Sequence, residues 1–367
     1  MYTIKERLEG EYGIGRVPQY LANRCSARKA KGADCTVCAG VCPQNIYPYG
    51  KRKRPVWDQC IKCGLCAASC PARCITPPAD RVNAYLMAVV KRCVLTVGCA
   101  AGENAYHLSL HCVAAISWEQ LACAALRGGV VLSLRPCGQC GRTYEFNQIQ
   151  ENLKKLAFFL GEEVYAQKVK VLREESESFQ EMEETVSRRE LLHFVGNMPL
   201  DKALAALPQM EDRRDSGLFY RAMLRDAVDA VKKEAEGEPR KFGMLLPKFN
   251  ENCYNCGYCV KSCPNGALKI LNGVDSFTVA VDAWKCTGCG ICQNICRSGG
   301  ITGIIPARVS QLRAIALGRF PHHLCARCGN PIPRDSGSSL CGVCLSRKQR
   351  EERRVHPARE ETYAEEA

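Results

Sequence analysis

The sequence predicts an α+β protein assembled from several small modules rather than around one core. Three observations predict it: 27 cysteines among 367 residues, their confinement to two blocks, and the C-x2-C pairs into which most of them fall. Cysteine at this density marks chains that draw part of their stability from cross-links or metals. The odd count and the tight pairs suit chelation of one centre better than the stapling of distant loops. The first thirty residues carry no apolar stretch between a basic start and a small-residue cleavage site, so a reducing cytoplasm is expected, and disulfides do not persist there. A composition 46% hydrophobic and 24% charged excludes wholesale disorder. The longest apolar candidate, Val82 to Ala101, is interrupted by Lys91 and Arg92, and no membrane span is expected.

The cysteines occupy residues 25–140 and 253–344, with none between Gly141 and Asn252. The first block holds Cys35-x2-Cys38-x3-Cys42-Pro43 and then Cys60-x2-Cys63-x2-Cys66-x3-Cys70-Pro71. The second holds Cys253-x2-Cys256-x2-Cys259-x3-Cys263-Pro264 and then Cys286-x2-Cys289-x2-Cys292-x3-Cys296. Each block is a doublet, and the two blocks together are an internal duplication. Between Glu145 and Arg240, 20 acidic residues stand against 15 basic ones. Ile149, Leu153, Leu156 and Leu160 precede Gly161 at helical spacing, and Leu224, Ala227, Val228 and Val231 repeat the pattern before Gly237. This stretch reads as amphipathic helices that connect or brace. A twin-arginine sequence, Ser187-Arg188-Arg189-Glu190-Leu191-Leu192, leads into His193 and Asp201 and reads as a helix start capped by Ser187.

Three thiolates two residues apart wrap one tight loop around three corners of an iron-sulfur cubane, and that loop cannot also reach the far iron. In doublet sequences the distant cysteine of each motif completes the other cluster. These residues resemble the bacterial dicluster ferredoxins over residues 20–80 and 248–305. The resemblance implies one 4Fe-4S cluster on Cys60, Cys63 and Cys66 with Cys42. In the second block it implies one on Cys253, Cys256 and Cys259 with Cys296, and another on Cys286, Cys289 and Cys292 with Cys263. The remaining centre departs from the pattern, because Gly32 stands where its first ligand belongs and the nearest upstream thiol is Cys25. A seven-residue insertion gives Cys25, Cys35 and Cys38 with Cys70, and a three-ligand cluster is the rival. Arg24, Arg28, Lys29 and Lys31 surround Cys25 with charge that favours a thiolate. Arg297 replaces the proline that usually follows the last cysteine. Gly64, Gly257, Gly288 and Gly290 are expected to let the backbone approach the sulfides, and Leu65, Tyr258 and Ile291 to keep water away. Zinc in all these loops is the alternative, but zinc rarely calls for C-x2-C-x2-C with a distant fourth ligand.

Between the two doublets, the stretch from Cys93 to Cys99, then Leu108 to Cys112, and Val130 to Leu134 read as strands, with Ser117 to Arg127 a helix capped by Ser117. In such an α/β unit the carboxyl ends of the strands share an edge, and Cys99, Cys112, Cys137 and Cys140 all fall at such ends. Four thiols there suit a 2Fe-2S cluster or a second zinc; a cysteine-rich core is the other reading. Residues 90–160 resemble small iron-sulfur subunits associated with hydrogenase and heterodisulfide reductase. Cys74 and Cys123 are expected to pack, and Cys93 is left open.

Near the C-terminus, Cys325-x2-Cys328 and, after twelve residues, Cys341-x2-Cys344 have the pairing of a zinc ribbon, a closed structural site. A rubredoxin-like iron is the runner-up. His322 and His323 are read as an exposed pair. The fold class is therefore α+β multidomain: two ferredoxin-like dicluster modules (1–80 and 246–305), a small α/β cysteine-rich module (81–160), a helical connector (161–245), a linker and C-terminal zinc ribbon (306–346), and a charged tail (347–367).

A formal net charge of +13 suggests a polyanion partner. Four clusters on four thiolates each, and one zinc on four more, would subtract about 10 and leave about +3. Nucleic acid is accordingly not the expected partner, although Lys51-Arg52-Lys53-Arg54 and the run Arg347 to Arg354 keep a redox-responsive nucleic-acid binder as the alternative function. The same runs suit docking to an acidic redox protein. The sequence has no phosphate loop of the G-x4-G-K-[ST] form, no G-x-G-x2-G after a strand, and no C-x3-C-x2-C. The expected function is electron transfer, by a chain of 4Fe-4S clusters, to or from a partner oxidoreductase that carries the substrate chemistry.

Overall fold

The computed structural model describes residues 18–29, 35–47, 57–76, 94–99, 106–140, 143–174, 177, 219–234, 241–310, 314–333 and 337–355. The expected helix start at Ser187, the basic run from Lys51, Gly32 and Cys93 lie outside the described residues.

The first cysteine block contains β1 (Gln19–Tyr20), the one-turn helices α1 (Ser26–Lys29), α2 (Val37–Gly40) and α3 (Leu65–Ser69), and β2 (Ile75–Thr76), which pairs antiparallel with β1. Helices this short are unstable alone. They stand because they pack: all five residues of α3 are buried. Tyr47 and Trp57 meet edge to face, with ring centroids 6.1 Å apart.

A parallel sheet follows. β3 (Val94–Cys99), β4 (Leu108–Leu110), α4 (Trp118–Arg127), β5 (Gly129–Ser133), α5 (Thr143–Leu160), α6 (Glu162–Lys168) and β6 (Val169–Leu172) build it, with strand order β4-β3-β5-β6. Every residue of β5 is buried, as a parallel strand covered on both faces requires. Ser117 caps α4 as expected, accepting from the Gln120 N–H while the Gln120 side chain accepts from the Ser117 N–H at 2.8 Å. Residues 169–172 lie in the stretch expected to be helical, yet β-branched Val169 and Val171 form a strand on β5. Ile149, Leu153, Leu156 and Leu160 of α5 are buried on its helical stripe. Helix α7 (Phe219–Glu234) buries Met223, Leu224, Ala227 and Val228, and the fully buried Cys123 of α4 sits with its sulfur 3.7 Å from the Met223 carbonyl, so Cys123 is a packing residue.

The second block is framed by antiparallel strands. β7 (Phe242–Phe249), α8 (Tyr258–Ser262), β8 (Leu268–Asn272), β9 (Ser276–Asp282), α9 (Ile291–Asn294), β10 (Ile301–Val309) and β11 (Ala314–Pro321) form the pair β7–β10 and the three-stranded sheet β8–β9–β11. β11 therefore adds a third strand from residues beyond 305. This block rests directly on α5: a Cβ on Gly243 would lie 2.2 Å from the Phe158 carbonyl oxygen, so only glycine permits the approach, and the Phe159 and Phe242 rings stack at 5.0 Å. A small ribbon with one bridge between Leu324 and Pro331 leads into α10 (Gly342–Val355). Among the described residues no helix is long and apolar enough to cross a membrane.

Candidate metal centres

The two cysteine blocks share one local geometry. Gly64 and Gly257 take left-handed backbone (φ 82° and 72°), and each starts a five-residue helix. A residue with a Cβ is strained in that region, so glycine relieves the turn at its sharpest point. The helices close with matching bonds, Cys70 N–H to Cys66 O and Cys263 N–H to Cys259 O, both 3.1 Å. Backbone N–H groups then approach the distant thiols: Cys74 N lies 3.4 Å from Cys70 Sγ, and Ala267 N lies 3.3 Å from Cys263 Sγ.

The chain folds so that thiols gather across motifs. One cavity is lined by Cys42, Cys60, Cys63 and Cys66, and another by Cys263, Cys286, Cys289 and Cys292. The other two quartets appear in the electrostatics. Burial pushes the Cys38 thiol up to about 12, and Cys70, Cys35 and Cys25 beside it add to the effect. Burial pushes Cys259 up to about 12 likewise, with Cys253, Cys256 and Cys296 as neighbours. Thiols that resist ionising together form a site that bound cations relieve, since a coordinated thiol is deprotonated outright. The Tyr47 hydroxyl supplies an independent test of fit: it is buried beside Cys66, and a donor to that sulfur is what a cluster-bearing thiolate would accept. Leu65 and Ile291 are 1% exposed, as water exclusion requires, whereas Tyr258 is 51% exposed. Tyr258 instead lies under the Arg297 guanidinium, 5.6 Å from its ring centroid, so the residue in the proline position covers its face.

Cys74 is buried in the core, as expected of a packing residue, but sequence reasoning missed its partners: its sulfur stands 3.4 Å from Cys70 Sγ. Its thiol also reaches Cys25, and hydrogen bonding to both holds Cys74 protonated while Cys25 and Cys70 are held low. The signal lay in the duplication, where Cys74 occupies the place of Ala267. Arg73 was missed too. It occupies the place of Gly266 and keeps that position's left-handed backbone, at φ 51° against 58°. Its guanidinium donates to the Ala67 and Ala68 carbonyls at 3.2 and 3.0 Å and pairs with Glu119, which Arg221 also approaches at 3.4 Å. Burial opposes ionisation of Glu119, but the two arginines outweigh it and hold the carboxyl below its ordinary value.

Cys99, Cys112, Cys137 and Cys140 sit at the carboxyl edge of the parallel sheet. The registers Cys99↔Leu110 and Val97↔Leu132 align the strand ends. Burial pushes the Cys137 thiol up to about 12, with Cys140, Cys112 and Cys99 next in effect. In the ribbon, the sulfurs of Cys325, Cys328, Cys341 and Cys344 all lie within 4.8 Å of one another, and Cys328 and Cys341 are 3.7 Å apart. Tetrahedral zinc with Zn–S bonds of about 2.3 Å would set such pairs about 3.8 Å apart. His322 turns away from this group, its Nε2 lying 3.2 Å from the Gly273 carbonyl.

Comparison with known proteins fits this geometry. Residues 252–299 match the 4Fe-4S dicluster domain family. The chain is 34% identical over 94 residues, 21% of its length, to a CoB–CoM heterodisulfide reductase iron-sulfur subunit of Methanocaldococcus jannaschii. It is 38% identical over 66 residues, 15% of its length, to a subunit of the H(2)/formate:CoB-CoM heterodisulfide,ferredoxin reductase of Methanococcus maripaludis. It spans 50% and 36% of the lengths of those relatives. The fold is thus mixed α and β with a ferredoxin-type 4Fe-4S dicluster domain at residues 252–299.

Proposed function

We propose that the chain relays single electrons through four 4Fe-4S clusters, two in each cysteine block, to or from a partner oxidoreductase in the cytoplasm, and that one zinc closes its C-terminal ribbon. The observation that carries this reading is the crossed assembly of thiols: in each block the distant cysteine of one motif meets the triplet of the other. The matching loop geometry of the two blocks supports a second dicluster module at residues 1–80. A bound 4Fe-4S cluster supplies a one-electron couple whose potential answers to charge, hydrogen bonding and exposure. The chain's own residues hold it with four thiolates, leave no position for substrate, and shield it with Leu65 and Ile291.

The ribbon's sulfur spacing supports a closed tetrahedral ion with a structural role. The quartet Cys99, Cys112, Cys137 and Cys140 supports a 2Fe-2S cluster or a second zinc. The relatives' names place them in heterodisulfide reductases, and we infer a catalytic partner of that kind. Anaerobic iron, sulfide and zinc analysis of the purified chain, with EPR of the reduced protein, tests the reading. About sixteen cubane irons and one ribbon zinc are expected, with about two further irons or one further zinc if the Cys99 quartet is loaded. Zinc alone, or no reducible paramagnet, overturns it.

A further inference from the structure

Arg24 joins the two cysteine blocks. Arg24 is only 7% exposed, and its guanidinium donates to the Asn265 side chain, two residues after Cys263 in the other block. Lys29 adds a second tie across the same face, donating to the Ser262 carbonyl at 3.1 Å. Four thiols act on Arg24 from both sides: after burial, which lowers its affinity for a proton, come Cys74, Cys263, Cys70 and Cys289. The Arg24 Nε is buried and has no hydrogen-bond partner within the described residues. A buried donor is seldom left unpaired. A separate cleft of about 290 Å3 also brings the two blocks together, lined by Cys70 and Pro71 of the first and by Thr287 and Gly288 of the second. Arg221, which also lines it, pairs with Glu119 at 3.4 Å and lies within the electrostatic reach of Cys286.

We propose that Arg24 is the positioning cation between the two inner centres of the protein, so that Cys25, Cys35, Cys38 and Cys70 face Cys263, Cys286, Cys289 and Cys292 across the block boundary, and that its charge raises the reduction potential of both. This rests on the four-cluster reading and adds to it the order of the centres: the sets containing Cys60 and Cys253 lie outermost. The physical reason is charge. A cubane on four thiolates is already negative, and reduction adds one more charge, so a fixed buried cation stabilises the reduced form. Arg24 stays protonated throughout, because arginine does not titrate in proteins.

The test uses the full chain, purified anaerobically, in an EPR-monitored titration with dithionite. Arg24→Gln is expected to keep the wild-type iron content and to lower the potential of two clusters by a tenfold change in the one-electron equilibrium, 59 mV, with the other two unmoved. The affected pair is assigned from the signals lost in Cys38→Ala and Cys289→Ala. Arg24→Lys, which keeps the charge, is expected to return the pair toward wild type. Wild-type potentials in Arg24→Gln, an equal shift of all four clusters, or no recovery in Arg24→Lys overturns the proposal. If Arg24→Gln loses iron, Asn265→Ala decides: it frees the guanidinium without removing charge, so a smaller shift of the same pair is expected and none overturns. A wild-type protein without iron defeats the cluster reading instead, and the two failures are thereby distinct.

Discussion

Arg73, Glu119 and Arg221 form a buried charged group in which each member is nine-tenths or more shielded. Arg73 holds a left-handed backbone that costs about 1–2 kcal/mol without glycine's freedom. The chain retains that strain because removing one partner of a buried ion pair costs about 3–5 kcal/mol. Glu119→Gln is therefore expected to lose stability on that scale, read as a lower denaturant midpoint in the anaerobic protein. Arg73→Gly, although it relaxes the backbone, is expected to lose stability as well, and the double variant to lose less than the sum, because both changes break one network. Cys74 carries a separate prediction. As a thiol donor to Cys70 and Cys25 rather than a ligand, Cys74→Ala should leave the iron count unchanged and lower one cluster's potential, since hydrogen bonds to sulfur favour the reduced state. A loss of four irons per chain would make Cys74 a ligand.

At the scale of elements, the short helices and two-residue strands of the first block have too little local stability to persist by themselves, and the ribbon is smaller still. Its core is Cys325, Ile332 and Cys344, with Leu340 and Cys341 packed against it. Bound zinc would supply most of the folding energy, on the order of 10 kcal/mol. Cys344→Ser is expected to remove about one zinc per chain while leaving iron unchanged, measured by metal analysis, and to open the ribbon to limited proteolysis ahead of α10. The parallel sheet and α5 require no such support, because Ile149, Leu156, Phe159 and Leu132 are fully buried. These elements were legible beforehand from β-branched runs and helical periodicity. The strand at 169–172 was not, because four residues after a helix carry no period of their own and pair only once β5 is beside them.

For the whole molecule, charge and connectivity decide the predictions. With metals bound, the formal +13 falls to about +3. Chelated, metal-free protein is therefore expected to bind a cation exchanger more tightly than the loaded form, eluting at higher salt; identical elution would mean the thiolates are not charged in the loaded state. The second block sits on α5 through Gly243 and Phe242, and the first reaches the second through Arg24 and Lys29 and, by way of Glu119 and Arg221, through Met244. Neither contact has a sequence signature, since Arg24, Asn265 and Glu119 are far apart along the chain and each is unremarkable locally.

The sequence by itself determined the thiol loops: cysteine spacing is a local property, and three thiols two residues apart limit what one loop can hold and leave a fourth ligand to come from elsewhere. Only the tertiary structure decided that Cys74 stands with Cys25 and Cys70, that Tyr258 is exposed, and that Arg24 lies between two sets of thiols. Burial and charge proximity arise from residues that meet only when the chain is closed, and no spacing along it encodes them.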